Sequence, residues 1–225
     1  MTSETHNLFE DRLTNLPEGL ELNILEYADE HILNALYKFF CGLFDKGEIE
    51  NFESFRETIG VHQKIPTKNK VIYVCHDDQI LGALLGTFLP KTKIGMILYS
   101  AVNQTIRSRG IYTQMRGALI RSLLSEIPSG PDYIISELPI GSRLYTKYIR
   151  DWGAFVAPCN YEIPETQGLY PRKIALMLQP IKRLSAPSNI ELAAIIKEIY
   201  SSVYQLPLTN DTTYRRVLSS IHQIV

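Results

Sequence analysis

With 225 residues, 45% hydrophobic and 21% charged, and a net charge of -1, the chain can bury a sizeable core but is no general polyanion binder. No apolar run reaches membrane-spanning length, and the opening MTSETHNLFEDR lacks the basic-then-apolar pattern of a secretory signal. Cys41, Cys75 and Cys159 are odd in number and far apart, and the five histidines form no HxxxH pair. The expectation is therefore a reducing, cytoplasmic setting with no membrane association, no disulfide framework and no metal.

Residues 1–18 read as a polar leader. LELNILEYA (20–28) has the alternation of a strand. DEHILNALYKFFCGLF (29–44) follows as a helix with Asp29 as a candidate N-cap, and Ile32, Leu33, Leu36, Phe39 and Phe40 share one face. Its aromatic residues, Tyr37, Phe39, Phe40 and Phe44, have the spacing of core side chains. EIENFESFRETIG (48–60) is a short acidic helix ending at Gly60, and HQKIPTKNK is a loop. Three strand candidates come next, at 71–77, 80–90 and 94–103, and their short DDQ and KTK turns imply an antiparallel meander.

A helix then carries Ile111, Met115, Ala118, Leu119 and Leu123 on one face, with Gln114, Arg116 and Arg121 on others. YIISELP (133–139) is a strand, SRLYTKYIRDWG (142–153) a helix closed by Gly153, and 154–164 and 172–181 are the last strands. Two helical stretches, 189–204 and 211–224, form the tail. The apolar stripe Leu192, Ile195, Ile196 and Ile199 must dock, either on the sheet or at the interface of a homodimer. The order predicts an α/β (α+β) protein. Its sheet is mixed and mostly antiparallel, with an antiparallel first half and helical crossovers in the second. The expected division is a leader (1–19), one domain (20–181) and a C-terminal helical extension (182–225).

Charge is divided along the chain. Residues 1–60 hold 13 Asp/Glu against 4 Lys/Arg, whereas 79–125 hold no acid and six basic residues, Lys91, Lys93, Arg107, Arg109, Arg116 and Arg121. An acid-free basic segment in a neutral protein suits an anionic ligand. Within it, the stretch from Arg107 to Thr113 links a strand to a helix start. Free backbone N–H groups and the helix dipole there favour a phosphate. Gly110 lets the backbone approach closely, and Arg107 and Arg109 add forked donors. GxxxxGK[ST] and GxGxxG are both absent, which sets aside P-loop enzymes and Rossmann oxidoreductases. With no reader motif and a net charge of -1, nucleic acid is not the expected partner.

The loop Arg107-Ser108-Arg109-Gly110-Ile111-Tyr112 resembles the [RQ]-x-x-G-x-[GA] pyrophosphate loop of the GCN5-related N-acetyltransferases (GNAT), with Tyr112 replacing the final small residue. ILYSAVNQTIRSRG resembles that family's fourth strand and its lead into the loop. RLYTKYIRDWGAF resembles the segment ending in YxKxGF, with one extra residue between Gly153 and Phe155. The similarity spans about residues 20–180. It implies acyl-CoA, most simply acetyl-CoA, as co-substrate and transfer of the acyl group to a small-molecule amine or a peptide amino group. A non-catalytic acyl-CoA-binding or regulatory domain of the same fold is the alternative.

Carried over by position, the resemblance makes Arg107, Ser108, Arg109, Gly110, Ile111, Tyr112 and Thr113 the pyrophosphate contacts. The backbone at Tyr99, Ser100, Ala101 and Val102 becomes the pantetheine contact. The family's acid is a tyrosine on the helix after the fifth strand, which here offers Tyr145 or Tyr148. Counting back from Gly153 falls on Ile149, and the local LY pattern favours Tyr145. Glu137 is the candidate base, expected to titrate near the working range if partly buried. His76, beside Asp77, is a weaker one. The family's first two helices line the acceptor side, so Asp45, Glu48, Glu50, Glu53 and Glu57 could attract a cationic amine.

Overall fold

The computed structural model describes residues 16–25, 29–45, 48–59, 68–164, 172–209 and 211–221. Its first half runs β1 (Glu21–Leu25), α1 (Glu30–Cys41), α2 (Phe52–Ile59), β2 (Lys68–His76), β3 (Gln79–Leu89), β4 (Ile94–Val102), a 3-10 turn (Gln104–Ile106) and α3 (Ile111–Glu126). The second half runs β5 (Tyr133–Leu138), α4 (Arg143–Trp152), β6 (Phe155–Val156), β7 (Glu162–Ile163), β8 (Arg172–Lys173), β9 (Ala175–Pro180), α5 (Asn189–Glu198), a π-helical turn (Ile199–Val203) and α6 (Thr212–Ile221). Seven strands share one mostly antiparallel sheet in the order β1-β2-β3-β4-β5-β9-β6, and β7 and β8 form a separate pair.

Side-chain and glycine caps set several helix boundaries. Asp29 accepts from the His31 and Ile32 amides and starts α1, and Ser142 accepts from the Tyr145 amide and starts α4. Ser188 and Glu191 form a reciprocal capping box at α5. Gly153 closes α4 with φ 58°, a left-handed conformation that costs a residue with a Cβ.

Several expected boundaries differ; the strand expected over 172–181 is β8 and β9, which lie in different sheets, and the helix expected over 48–60 starts at Phe52. The end of the predicted loop, Lys68 to Lys70, opens β2 instead; Asn69 donates to the Thr58 carbonyl and Lys70 pairs with Glu126 at 2.5 Å, so these polar side chains have partners. The single strand expected over 154–164 is two dipeptide strands. Pro158 has no amide to give a ladder, and a tight turn from the Cys159 amide to the Ala157 carbonyl (2.8 Å) separates them. The leader up to residue 15, Gly60 and residues 222–225 lie outside the described residues.

The chain forms two compact units. The first holds β1, α1, α2, β2, most of β3, the end of β4, and α3. Here β1 and β2 pair antiparallel from Glu21 opposite Cys75 to Leu25 opposite Val71. Successive β3 residues face opposite ways. Ala83 and Leu85 join Leu36, Phe40, Phe55 and Val71 in one cluster. Gly82 and Gly86 turn the other way, toward Ile111, Met115 and Leu119 of α3. A Cβ at Gly86 would come 2.6 Å from Leu119 Cδ2, so the helix lies directly on the strand backbone.

The second unit holds β5 to β9, α4, the tail and the residues around the β3–β4 turn. β9 pairs antiparallel with β5, from Tyr133 opposite Pro180 to Leu138 opposite Ala175, and with β6. The tail is built into this unit. Leu192, Ile195, Ile196 and Ile199 are all buried, and α5 packs on α6. Buried Glu198 accepts from the Lys91 amide (3.0 Å), the Thr92 amide (2.8 Å) and the Thr92 hydroxyl (2.5 Å), fastening α5 to the β3–β4 turn. Among the described residues no helix is long and apolar enough to cross a membrane, and no group of three His, Cys, Asp or Glu could hold a metal ion.

Candidate active site

In the first unit, β4 delivers the chain to a short, tightly bonded loop. The Asn103 amide donates to the Leu81 carbonyl (2.8 Å), and the Asn103 side chain accepts from the Thr105 amide and hydroxyl, both at 3.0 Å. Ile106 is buried and pins the 3-10 turn. Arg107 Nε donates back to the Val102 carbonyl at 3.0 Å, so this guanidinium braces the loop from outside. Ser108 has φ 67°, a left-handed backbone costing a non-glycine residue about 1–2 kcal/mol. Gly110, at φ 79°, precedes α3 and has no side chain with which to cap it. As the first-turn amides of α3, those of Ile111, Tyr112 and Thr113 point back toward the loop rather than into the helix. Arg107, Ser108 and Arg109 are exposed at this positive helix end. This is a cradle for a phosphate-like anion.

The strand before the loop is half-buried from Tyr99 to Val102. Tyr99 meets Phe40 at a tilt (5.9 Å between ring centres) and Phe44 edge-on (6.1 Å). Of the aromatics expected in the core, Phe40 is buried with Phe55 of α2, while Tyr37, Phe39 and Phe44 are half-buried and pack against that cluster, Tyr37 meeting Phe52 and Phe55 edge-on or tilted. Arg116 and Gln114, expected off the apolar face of α3, are buried, Arg116 being only 2% exposed. Of the six basic residues between 79 and 125, all but Arg116 are open to solvent: Lys91, Lys93, Arg107, Arg109 and Arg121.

The acidic residues of the α1–α2 region are exposed or half-buried, and several have local partners. Glu53 pairs with Arg56 (3.5 Å), which also binds Glu30 (2.9 Å), and Glu48 accepts from the Asp45 amide. Glu50 is half-buried, and burial pushes its carboxyl above the usual range against the lowering pull of Thr58. His76 Nδ1 sits 3.2 Å from Asp77 at the tip of the β2–β3 turn.

In the second unit, β5 divides the predicted catalytic residues between its faces. Ser136 points toward α4, where its hydroxyl shares a 2.6 Å hydrogen bond with the Tyr148 hydroxyl. Tyr148 is fully buried, edge-on to Trp152 at 4.7 Å. Tyr145, in the first turn of α4, is half-buried. Glu137, the next strand residue, points the opposite way. There the Tyr161 hydroxyl donates to one carboxylate oxygen and the Tyr204 hydroxyl donates to the other at 2.6 Å. The structure therefore joins Tyr148 to Ser136 and Glu137 to two tyrosines. Sequence reasoning missed both of these, since they lie 24 and 67 residues from Glu137.

No family model matches the chain, and no curated protein sequence matches it significantly. Solved structures do match. A GNAT-family protein from Bacteroides thetaiotaomicron superposes with TM-score 0.59 at 14% identity, over 83% of this chain and 99% of that one. The chain has the GNAT fold. A Salmonella typhimurium acetyltransferase that modifies the N-terminal serine of ribosomal protein L7/L12 gives TM-score 0.53 at 17% identity, over 73% of this chain and 96% of that one. Arabidopsis thaliana NAA60, in complex with a bisubstrate analogue, gives 0.53 at 13% identity, over 72% and 99%. In this GNAT-fold chain the mostly antiparallel sheet of the sequence reading is present, and the predicted pyrophosphate loop is the segment that leads into α3.

Proposed function

We propose that the protein is an acyl-CoA-dependent N-acyltransferase that uses acetyl-CoA and acylates a peptide α-amino group, or a small amine of the same chemistry. The observation that carries the reading is the Arg107–Thr113 loop. It has a left-handed Gly110 ahead of a helix start with no side-chain cap, and its arginines stand at the positive end of α3. The fit to a pyrophosphate rests on this geometry and on the absence of any acid between residues 79 and 125. The preference for a peptide amino group is supported by the Salmonella protein of the same fold, which modifies the N-terminal serine of a ribosomal protein.

When bound, acyl-CoA supplies the acyl group as a thioester, already activated toward an amine. In this reading the first-turn amides and Arg109 hold the pyrophosphate, and the β4 backbone from Tyr99 to Val102 orients the pantetheine. Glu137 receives the proton that the amine loses, and the Tyr145 hydroxyl holds the proton for the departing sulfur. Tyr148, buried and bonded to Ser136, is the less suitable acid. Thermal shift with CoA, acetyl-CoA and longer acyl-CoAs tests the cradle: the protein should be stabilised by mass action. No shift at millimolar CoA removes the reading. Thiol release over a panel of amines and N-terminal peptides then tests transfer, and CoA binding with no release across the panel leaves the non-catalytic binder.

A further inference from the structure

Glu137 is held more firmly than a strand-end carboxylate requires. We propose that Tyr161 and Tyr204 are positioning residues for Glu137, so that the C-terminal segment forms part of the catalytic apparatus. This rests on the reading of Glu137 as the proton acceptor.

The geometry is a clamp with one donor per oxygen. An ionised carboxylate only accepts hydrogen bonds, and each phenol has one proton to donate. Tyr161 donates to Oε1 and Tyr204 to Oε2, which favours the charged form and fixes its orientation.

The donors are themselves immobilised. Tyr161 is 1% exposed and meets Tyr200 edge-on at 6.1 Å; Tyr200 also packs on Tyr204 (5.9 Å) and Tyr214 (5.5 Å). The Tyr200 hydroxyl donates to the Glu162 carbonyl, while the Glu162 carboxylate takes both Nε and a terminal nitrogen of Arg216. Burial first, then the Glu137 charge, pushes the Tyr161 phenol well above its ordinary value, so it remains a donor.

The backbone that delivers Tyr204 is unusual too. The Tyr204 amide bonds five residues back, to the Ile199 carbonyl at 3.2 Å, as a π-helical turn. Such turns are rare and recur at functional sites.

The titratable groups facing Glu137 are Tyr161, Tyr200 and Tyr204, with Glu162, Asp211 and Cys159 facing Tyr200 from its other sides. The test uses the full chain and Tyr204→Phe and Tyr161→Phe, which keep the rings. Carbon-detected NMR of glutamate carboxyls, with Glu137→Gln assigning the signal, should show the Glu137 titration moved to higher pH in each variant. An unmoved titration overturns the clamp. In turnover, Tyr204→Phe should lower kcat about tenfold, the weight of one hydrogen bond to a charged group, with KM for acetyl-CoA unchanged. In a Glu137→Gln background it should cost nothing further. Equal losses in both backgrounds overturn the proposal. Full turnover by Glu137→Gln instead sinks the proton-acceptor reading, and with it the catalytic role of the clamp, even where the NMR shift is present.

Discussion

Gly86 is the position where a single methyl group should be felt most in the first unit. Its missing Cβ would lie 2.6 Å from Leu119 Cδ2 and 2.8 Å from Cδ1. Relaxed carbon contacts are about 3.5–4.0 Å, so α3 and β3 must part by about 1 Å or Leu119 must change rotamer. Leu119 is fully buried and has no solvent to swing into. Overpacking of this kind costs about 1–3 kcal/mol, or about 2–4 °C of Tm per kcal/mol in a chain of this length. Gly82→Ala is the internal comparison. Its nearest contact would be 3.3 Å, to Ile111 Cγ2, so the loss should be smaller.

Urea denaturation of Gly86→Ala, Leu119→Ala and the double variant measures the contact directly. Leu119→Ala alone should cost about 2–5 kcal/mol through its cavity. In the double variant the new methyl group occupies part of that cavity, so the combined loss should fall short of the sum. Additive losses, or a Gly86→Ala protein as stable as the parent, refute the close seating of α3 on β3. The same displacement should weaken CoA binding, because Ile111 and Met115 seat the start of α3 over Gly82 on the same strand.

Gly110→Ala puts a Cβ on a left-handed residue in the cradle and should weaken CoA binding at least tenfold by calorimetry; unchanged affinity removes Gly110 from the anion site. Glu198→Ala strips the acceptor from two backbone amides and a hydroxyl, and should cost about 3 kcal/mol in chemical denaturation. Tyr145→Phe should appear as lost turnover at unchanged Tm. Tyr148→Phe should appear as about 1–2 kcal/mol of lost stability, from an unpartnered buried Ser136 hydroxyl. If both leave turnover intact, the acid lies elsewhere. Arg183, then Ser188, holds the Glu191 carboxyl down to about 2. A depressed pKa stabilises the fold above the unfolded value of 4.5, so that contribution should fade between about 4.5 and about 2 and be missing in Glu191→Gln.

Much of the framework was legible because it is local. Asp29, Ser142 and Gly153 lie one residue from the helices they bound, and the Leu192–Ile199 stripe repeats within two turns. The loop to α3 could be read from seven consecutive residues. A further signal was available: Gly82 and Gly86 on β3 share a spacing of four with Ile111, Met115 and Leu119, the mark of a helix lying on strand backbone. What misled was treating α3 as amphipathic. A helix buried around most of its circumference shows no clean polar face, which is why Gln114 and Arg116, placed off the apolar face, are buried as well.

The environment of Glu137 could not be read, because it is assembled from distant parts of the chain. Local context shows only a carboxylate late in a strand, and partial burial of a carboxyl by itself argues for a raised pKa. The two phenol donors work against that effect, since hydrogen bonds to the charged form favour it. One donor comes from the segment between β6 and β7, the other from beyond α5. Residues 182–225 fall outside the stretch that resembles the family, which made them look like an appendage. Yet α5 caps the β3–β4 turn through Glu198, α6 holds Glu162 through Arg216, and the π-helical turn brings Tyr204 to Glu137. An extension that supplies buried partners to three separate elements of its unit cannot be removed without leaving buried polar groups unpaired. Truncation at residue 181 should therefore give a protein that fails to fold.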